Sequence, residues 1–92
     1  MATVGGAIRL ELLLDADAAK TLEETPLSAD QSLALARDGR VRVRATLPET
    51  EQLRWWILGF GETAEVVSPR RLREKMVATA RGLAVRYRTR SR

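Results

Sequence analysis

The stretch Leu53-Arg54-Trp55-Trp56-Ile57-Leu58-Gly59-Phe60-Gly61 constrains the fold more than any other part of the chain. Both tryptophans and the single phenylalanine lie in it. Leu53, Trp56, Ile57 and Phe60 recur at i, i+3, i+4 and i+7, one stripe of an α-helix. Gly61 falls just past the stripe, where a left-handed C-terminal cap is cheapest for glycine. Gly59 gives room for a second backbone to come close. At about 100° per residue Trp55 points away from the stripe, and Leu58 shares its side. A helix apolar on both faces needs two covers. A sheet of the same domain is the expected first cover, and the second is the functional question.

The sheet can be read from residues whose apolar period is two. Ile8, Leu10, Leu12 and Leu14 alternate with Arg9, Glu11 and Leu13, giving a strand with one buried face. Asp15 or Asp17 can cap a helix over Ala16–Glu24, which Pro26 stops. Leu33 and Leu35 mark a strand within Ser28–Ala36. Arg37-Asp38-Gly39-Arg40 supplies Asp-Gly, a strong hairpin signal. Val41, Val43, Ala45 and Leu47 then alternate with Arg42, Arg44 and Thr46. Pro48 and Thr50 open the aromatic helix, with Glu49 and Glu51 suited to its positive end. Ala64–Val67 reads as a short strand. Ser68 as N-cap and Pro69 as first helical residue start a last helix. Leu72, Met76, Ala80, Leu83 and Tyr87 form its stripe, which Gly82 interrupts at a cost near ~1 kcal/mol relative to alanine.

The order is β-α-β-β-α-β plus a helix. That predicts an α+β, ferredoxin-like βαββαβ sandwich with an additional C-terminal helix. Residues 7–87 are expected to form the domain, residues 1–6 a leader or linker, and residues 88–92 a basic, disordered tail. The expected core holds Leu53, Trp56, Ile57, Phe60, Leu72, Met76, Leu83 and Tyr87.

Composition narrows the chemistry. The 92 residues contain no cysteine and no histidine. Disulfides, thiolate chemistry and Cys-type zinc sites are excluded, and the usual neutral-pH acid/base is missing. No nucleophile stands beside a base, no calcium-loop spacing is present, and no glycine loop opens a helix to hold phosphate. The reading is a non-enzymatic domain with no cofactor and no metal. No apolar run reaches the ~18 residues of a membrane helix, and the start lacks the pattern of a signal peptide, so a cytoplasmic setting is expected.

Charge is uneven. Residues 1–67 hold seven Lys/Arg and eleven Asp/Glu, whereas residues 68–92 hold nine Lys/Arg and one Glu. Two groups of cations are candidates for anion or nucleic-acid contact. Arg40, Arg42 and Arg44 line one strand face, which reads either as a solvated outer face or as a nucleic-acid face without stacking aromatics. Ser68, Arg70 and Arg71 sit at a helix start, where they can hold a phosphate or an acid, or stand solvated. Trp55, Leu58 and Gly59 are the interface candidates. The alternative for Trp55 is to lie flat on its own domain beneath the basic terminal helix, with an arginine stacked on it.

Leu53–Gly61, Ala64-Glu65-Val66-Val67-Ser68-Pro69 and Leu72-Arg73-Glu74 together resemble the C-terminal extension (WCX) domain of WYL-domain helix-turn-helix transcriptional regulators. That pattern has a leucine, a helix ending Trp-Leu-Leu-x-Phe-Gly, a valine-rich strand, then Pro and Leu-Arg-Glu opening a terminal helix. Trp56 matches the family tryptophan. Trp55 and Arg70 depart, since the family is usually polar at the first and acidic or neutral at the second. The resemblance implies a fragment of a bacterial regulator whose helix-turn-helix and WYL domains lie elsewhere. It implies contacts with those domains, a homodimer formed through the parent protein, and DNA bound by that parent. Direct nucleic-acid binding by this domain, and small-ligand sensing by fold analogy, are the alternatives.

Overall fold

Residues 6–88 are described by the structure, a computed structural model. Apart from Gly6 and Arg88, the expected leader over residues 1–6 and tail over residues 88–92 lie outside those residues. The elements run β1 (Ala7–Leu14), α1 (Ala16–Glu24), β2 (Ser32–Leu35), β3 (Val41–Pro48), α2 (Glu51–Leu58), a 3-10 turn (Gly61–Thr63), β4 (Ala64–Ser68) and α3 (Arg70–Arg86). One antiparallel sheet takes the order β2-β3-β1-β4. Each helical crossover therefore skips one strand, so β3 lies between β1 and β2, and β1 lies between β3 and β4. This is the ferredoxin-like α+β arrangement with an additional C-terminal helix.

The register explains the core. Leu12 stands opposite both Val43 and Val66, Leu10 opposite Ala45, and Leu14 opposite Val41 and Ala64. With a period of two, these side chains share one sheet face. They cluster there with Ala19 and Leu22 of α1, Leu53 and Ile57 of α2, and Leu72 of α3. Trp56, Phe60 and Met76 are half-buried and pack against this cluster.

Several boundaries differ from the sequence reading. The second strand shrinks to Ser32–Leu35 because Ser28–Gln31 is held as a loop. Gln31 accepts from the Leu27 N–H at 2.8 Å and donates to the Leu22 carbonyl at 3.0 Å. Such side chain–backbone bonds compete directly with a sheet ladder. Asp15 takes the N-cap position of α1, but its carboxylate caps nothing and its N–H donates to the Thr63 carbonyl. Pro48 is the last residue of β3, and Thr50 alone caps α2, accepting from the Leu53 N–H at 3.0 Å. Ser68 does not cap α3. It pairs opposite Glu11 as the end of β4, and Pro69 takes the N-cap position with extended backbone. Gly61 has a φ of 61°, left-handed as expected, but it opens the 3-10 turn, and the C-cap of α2 is Gly59.

The largest correction concerns α3. Leu83 and Tyr87, expected in the core, are 49% and 80% exposed, while Leu72 is buried and Met76 half-buried. The reason is length. Seventeen helical residues span about 25 Å at the usual rise. The five residues of β4, the strand α3 packs on, span about 17 Å. The stripe continues after its cover has ended.

Candidate functional site

Trp55 projects from α2 and is 66% exposed. Trp56 turns inward, its ring edge-on to Phe60 at 4.8 Å between centroids. Leu58, three residues on from Trp55, is half-buried. Gly59 is exposed and follows α2 in right-handed conformation. A Cβ there would meet only carbonyls of its own helix, those of Trp55 and Trp56, so no other backbone approaches it within the described residues.

Leu58 also lines an apolar groove of about 420 Å³. One wall is Ile57, Leu58, Ala64 and Val66, from α2 and β4; the other is Met76, Val77, Ala80 and Leu83, from α3. Glu62, Glu65 and Arg73 stand around it. Sequence reasoning missed this groove because it assigned the distal stripe of α3 to the core. The signal was there: a helix much longer than the strand before it.

The arginine face of β3 is not a free row of cations. Glu11 of β1 accepts from Arg42 at 3.0 Å and from Arg44 at 3.3 Å. Arg40 pairs with Asp38 at 2.8 Å and with Glu65 at 2.9 Å. Arginine bonds from Arg73 and then Arg40 hold the Glu65 carboxyl below its usual range. These carboxylates were also missed, although alternation in β1 puts Glu11 on the face opposite its leucines. Beside them lies a polar hollow of about 410 Å³ lined by Arg9, Glu11, Asp30, Arg44, Thr46 and Ser68. Bonds from the Ser28 hydroxyl and the Thr46 N–H hold Asp30 down at about 2.

Ser68, Arg70 and Arg71, expected to act together, line three separate hollows. Ser68 faces the polar hollow just described. Arg71 turns to Glu49, before α2, and Lys75 lies 3.7 Å from the same carboxylate. Arg70 pairs along α3 with Glu74 at 3.5 Å. Among the described residues Arg9, Arg37, Arg81, Arg86 and Arg88 have no ion-pair partner. No group of three potential metal-binding side chains exists among the described residues, and no described helix is long and apolar enough to cross a membrane.

The WCX domain family matches residues 6–84. The chain belongs to that family. At the family level it is a regulatory domain of WYL-type proteins, a class not known for enzymes. No curated protein matches the chain.

Proposed function

We propose that the chain is the C-terminal regulatory module of a bacterial, cytoplasmic WYL-type transcription factor and mediates homodimer and interdomain contacts. The observation that carries this reading is Trp55: a tryptophan 66% exposed, three residues before Leu58, which itself lines an apolar groove. Tryptophan is enriched among binding hot spots, and exposed apolar patches mark interaction sites. Gly59, exposed at the end of the same helix, leaves a partner room to sit close. DNA is then bound by the parent protein rather than by this module.

The test is Trp55→Glu. The substitution should leave the circular dichroism and melting temperature of the monomer nearly unchanged. It should weaken self-association in sedimentation, or binding to the companion WYL domain, at least tenfold. Unfolding of the monomer would make Trp55 part of the core; retention of both contacts would remove it from the interface.

A second reading, direct nucleic-acid binding, is favoured by Arg81 and Arg86 on α3 and Arg88 just after it, which have no ion-pair partner among the described residues. Arg40, Arg42 and Arg44 support it less, because Glu65 occupies the first and Glu11 the other two. Ser68, Arg70 and Arg71, spread over three hollows, form no shared anion site. A third reading, small-ligand sensing, would use the groove.

A further inference from the structure

Arg9 is exposed, and among the described residues it has neither an ion pair nor a side-chain hydrogen bond. The sheet register sets it among polar neighbours. Arg9 stands opposite Thr46 and Glu11 opposite Arg44, and Ser68 of β4 faces Glu11 from the other side. Alternation puts Arg9 and Glu11 on the sheet face away from the leucine core. These side chains, with Asp30, line the polar hollow of about 410 Å³, a size within the range of small-molecule sites.

The groups left unused there are donors. One Glu11 oxygen takes Arg42 and the other takes Arg44. Asp30 accepts from the Ser28 hydroxyl and the Thr46 N–H, bonds that keep it ionised. Arg44 bonds Glu11 through Nε, which leaves its two Nη groups open, and its side chain is 64% exposed. The Ser68 hydroxyl has no partner among the described residues. Arg9 and Arg44 occupy diagonal positions on β1 and β3, about 7–8 Å apart, so that one anion can meet both guanidinium groups. Charge sets its kind. Three guanidiniums, Arg9, Arg42 and Arg44, stand against two carboxylates, Glu11 and Asp30, and one positive charge is left over.

We propose that this hollow binds the carboxylate of a small polar molecule between Arg9 and Arg44, with the Ser68 hydroxyl donating to the same group. Guanidinium groups suit carboxylates because their donors match both oxygens. The site is separate from the Trp55 contact and from the apolar groove, and rests on neither. A phosphodiester carries the same single charge. A nucleic-acid strand, however, draws on a run of free cations or on stacking aromatics. On this face Arg42 and Arg44 are tied to Glu11, and no described strand carries an aromatic.

The test is an NMR titration of the 92-residue chain with sodium lactate, with lactamide and sodium chloride as controls at matched ionic strength. Saturable shifts should centre on the amides of Arg9, Glu11, Thr46 and Ser68, with a Kd on the order of 1–10 mM for so small a probe. Lactamide and chloride should not reproduce them. Arg9→Ala and Arg44→Ala should each weaken lactate at least tenfold with the melting temperature nearly unchanged, because both side chains are exposed. Arg81→Ala, on α3, should leave the affinity as it is. Glu11→Gln leaves a second positive charge over, so preference should move at least fivefold from lactate towards succinate, a dianion. Shifts that chloride reproduces, or that survive in Arg9→Ala combined with Arg44→Ala, overturn the site. Displacement of lactate by a short DNA duplex at micromolar concentration also overturns it and assigns the face to nucleic acid.

Discussion

Arg73 places its Nη1 2.8 Å from the Glu65 carboxylate and 2.8 Å from the Val66 carbonyl. One guanidinium thus ties the first turn of α3 to β4 and occupies a carbonyl on an edge strand. Edge strands expose unpaired backbone groups that recruit other chains, and a charged side chain laid along them blunts this. Glu65 also holds Arg40 of the hairpin, so the β2–β3 turn and the start of α3 share one carboxylate.

Arg73→Ala removes the backbone bond and the ion pair together. Both ion-pair partners are partly solvated, so the pair contributes little and the bond to Val66 contributes most. The expected loss is about 1–2 kcal/mol, read from urea denaturation. Arg73→Lys keeps the charge without the fork and should recover less than half of it. Equal stability of Arg73→Ala and the parent chain would show that the bond is not maintained in solution.

Stability should fall on the acid side. Arg71, with Lys75 beside it, holds Glu49 below the usual glutamate range, and Arg73 and Arg40 do the same for Glu65. A carboxyl whose folded value is lowered contributes fully above its unfolded value. The contribution is lost as pH falls from there through the lowered folded value. The melting temperature should therefore be flat between about pH 5 and 7 and decline below about 4.5. Glu49→Gln, at a carboxyl whose side chain is 11% exposed, should lower the plateau and flatten the acid decline. A decline of unchanged slope in both Glu49→Gln and Glu65→Gln would place the acid-sensitive groups elsewhere.

The topology was legible because the periodicities are clean. Ile8–Leu14 and Val41–Leu47 alternate over their whole length, and Asp38-Gly39 fixes how the middle strands join. The inward stripe of Leu53, Trp56, Ile57 and Phe60 also follows from spacing, and so does the outward position of Trp55. Three things did not follow. The place where α3 leaves its cover depends on the length of β4 relative to the helix, and spacing alone does not set that. The neutralisation of Arg40, Arg42 and Arg44 depends on register, which brings Glu11 and Glu65 beside them. The separation of Ser68 from Arg71 depends on β4 extending through Ser68, which turns that side chain to the open sheet face.

Trp56 should separate from Trp55 in stability. Trp56 is half-buried against Phe60 and the core. Full truncation of a buried tryptophan costs about 3–5 kcal/mol, and partial burial brings the expectation for Trp56→Ala to about 2–4 kcal/mol. Small domains hold about 5–15 kcal/mol in total, so the variant should melt far lower or unfold. Trp55→Ala should stay within about 0.5 kcal/mol, as exposed positions do. Chemical denaturation followed by circular dichroism compares the two, and equal losses would contradict the inward and outward placement.

Glu11 should restrain nucleic-acid binding. It occupies Arg42 and Arg44, so the parent chain is expected to bind DNA weakly and without sequence preference. Glu11→Gln releases both arginines. A fluorescence titration with a short duplex should then show tighter binding and a steeper salt dependence. The slope of log K against log salt should grow by about 0.9 for each phosphate newly engaged. If the parent chain already binds below micromolar at physiological salt, and Arg81→Glu with Arg86→Glu abolishes it, the nucleic-acid reading displaces the contact module.

The end of the core along α3 can be located by two leucines eleven residues apart. Leu72 is 1% exposed and packs in the main cluster. Leu72→Ala removes buried methyl groups and leaves a cavity between α3 and the sheet, at an expected cost of about 2–5 kcal/mol. Leu83 faces the groove and is half exposed, so Leu83→Ala in the monomer should cost less than about 1 kcal/mol. Measured in dilute solution, where no dimer forms, the two values report the single chain alone. A penalty for Leu83→Ala as large as that for Leu72→Ala in dilute solution would mean that the distal helix folds back onto its own domain and closes the groove.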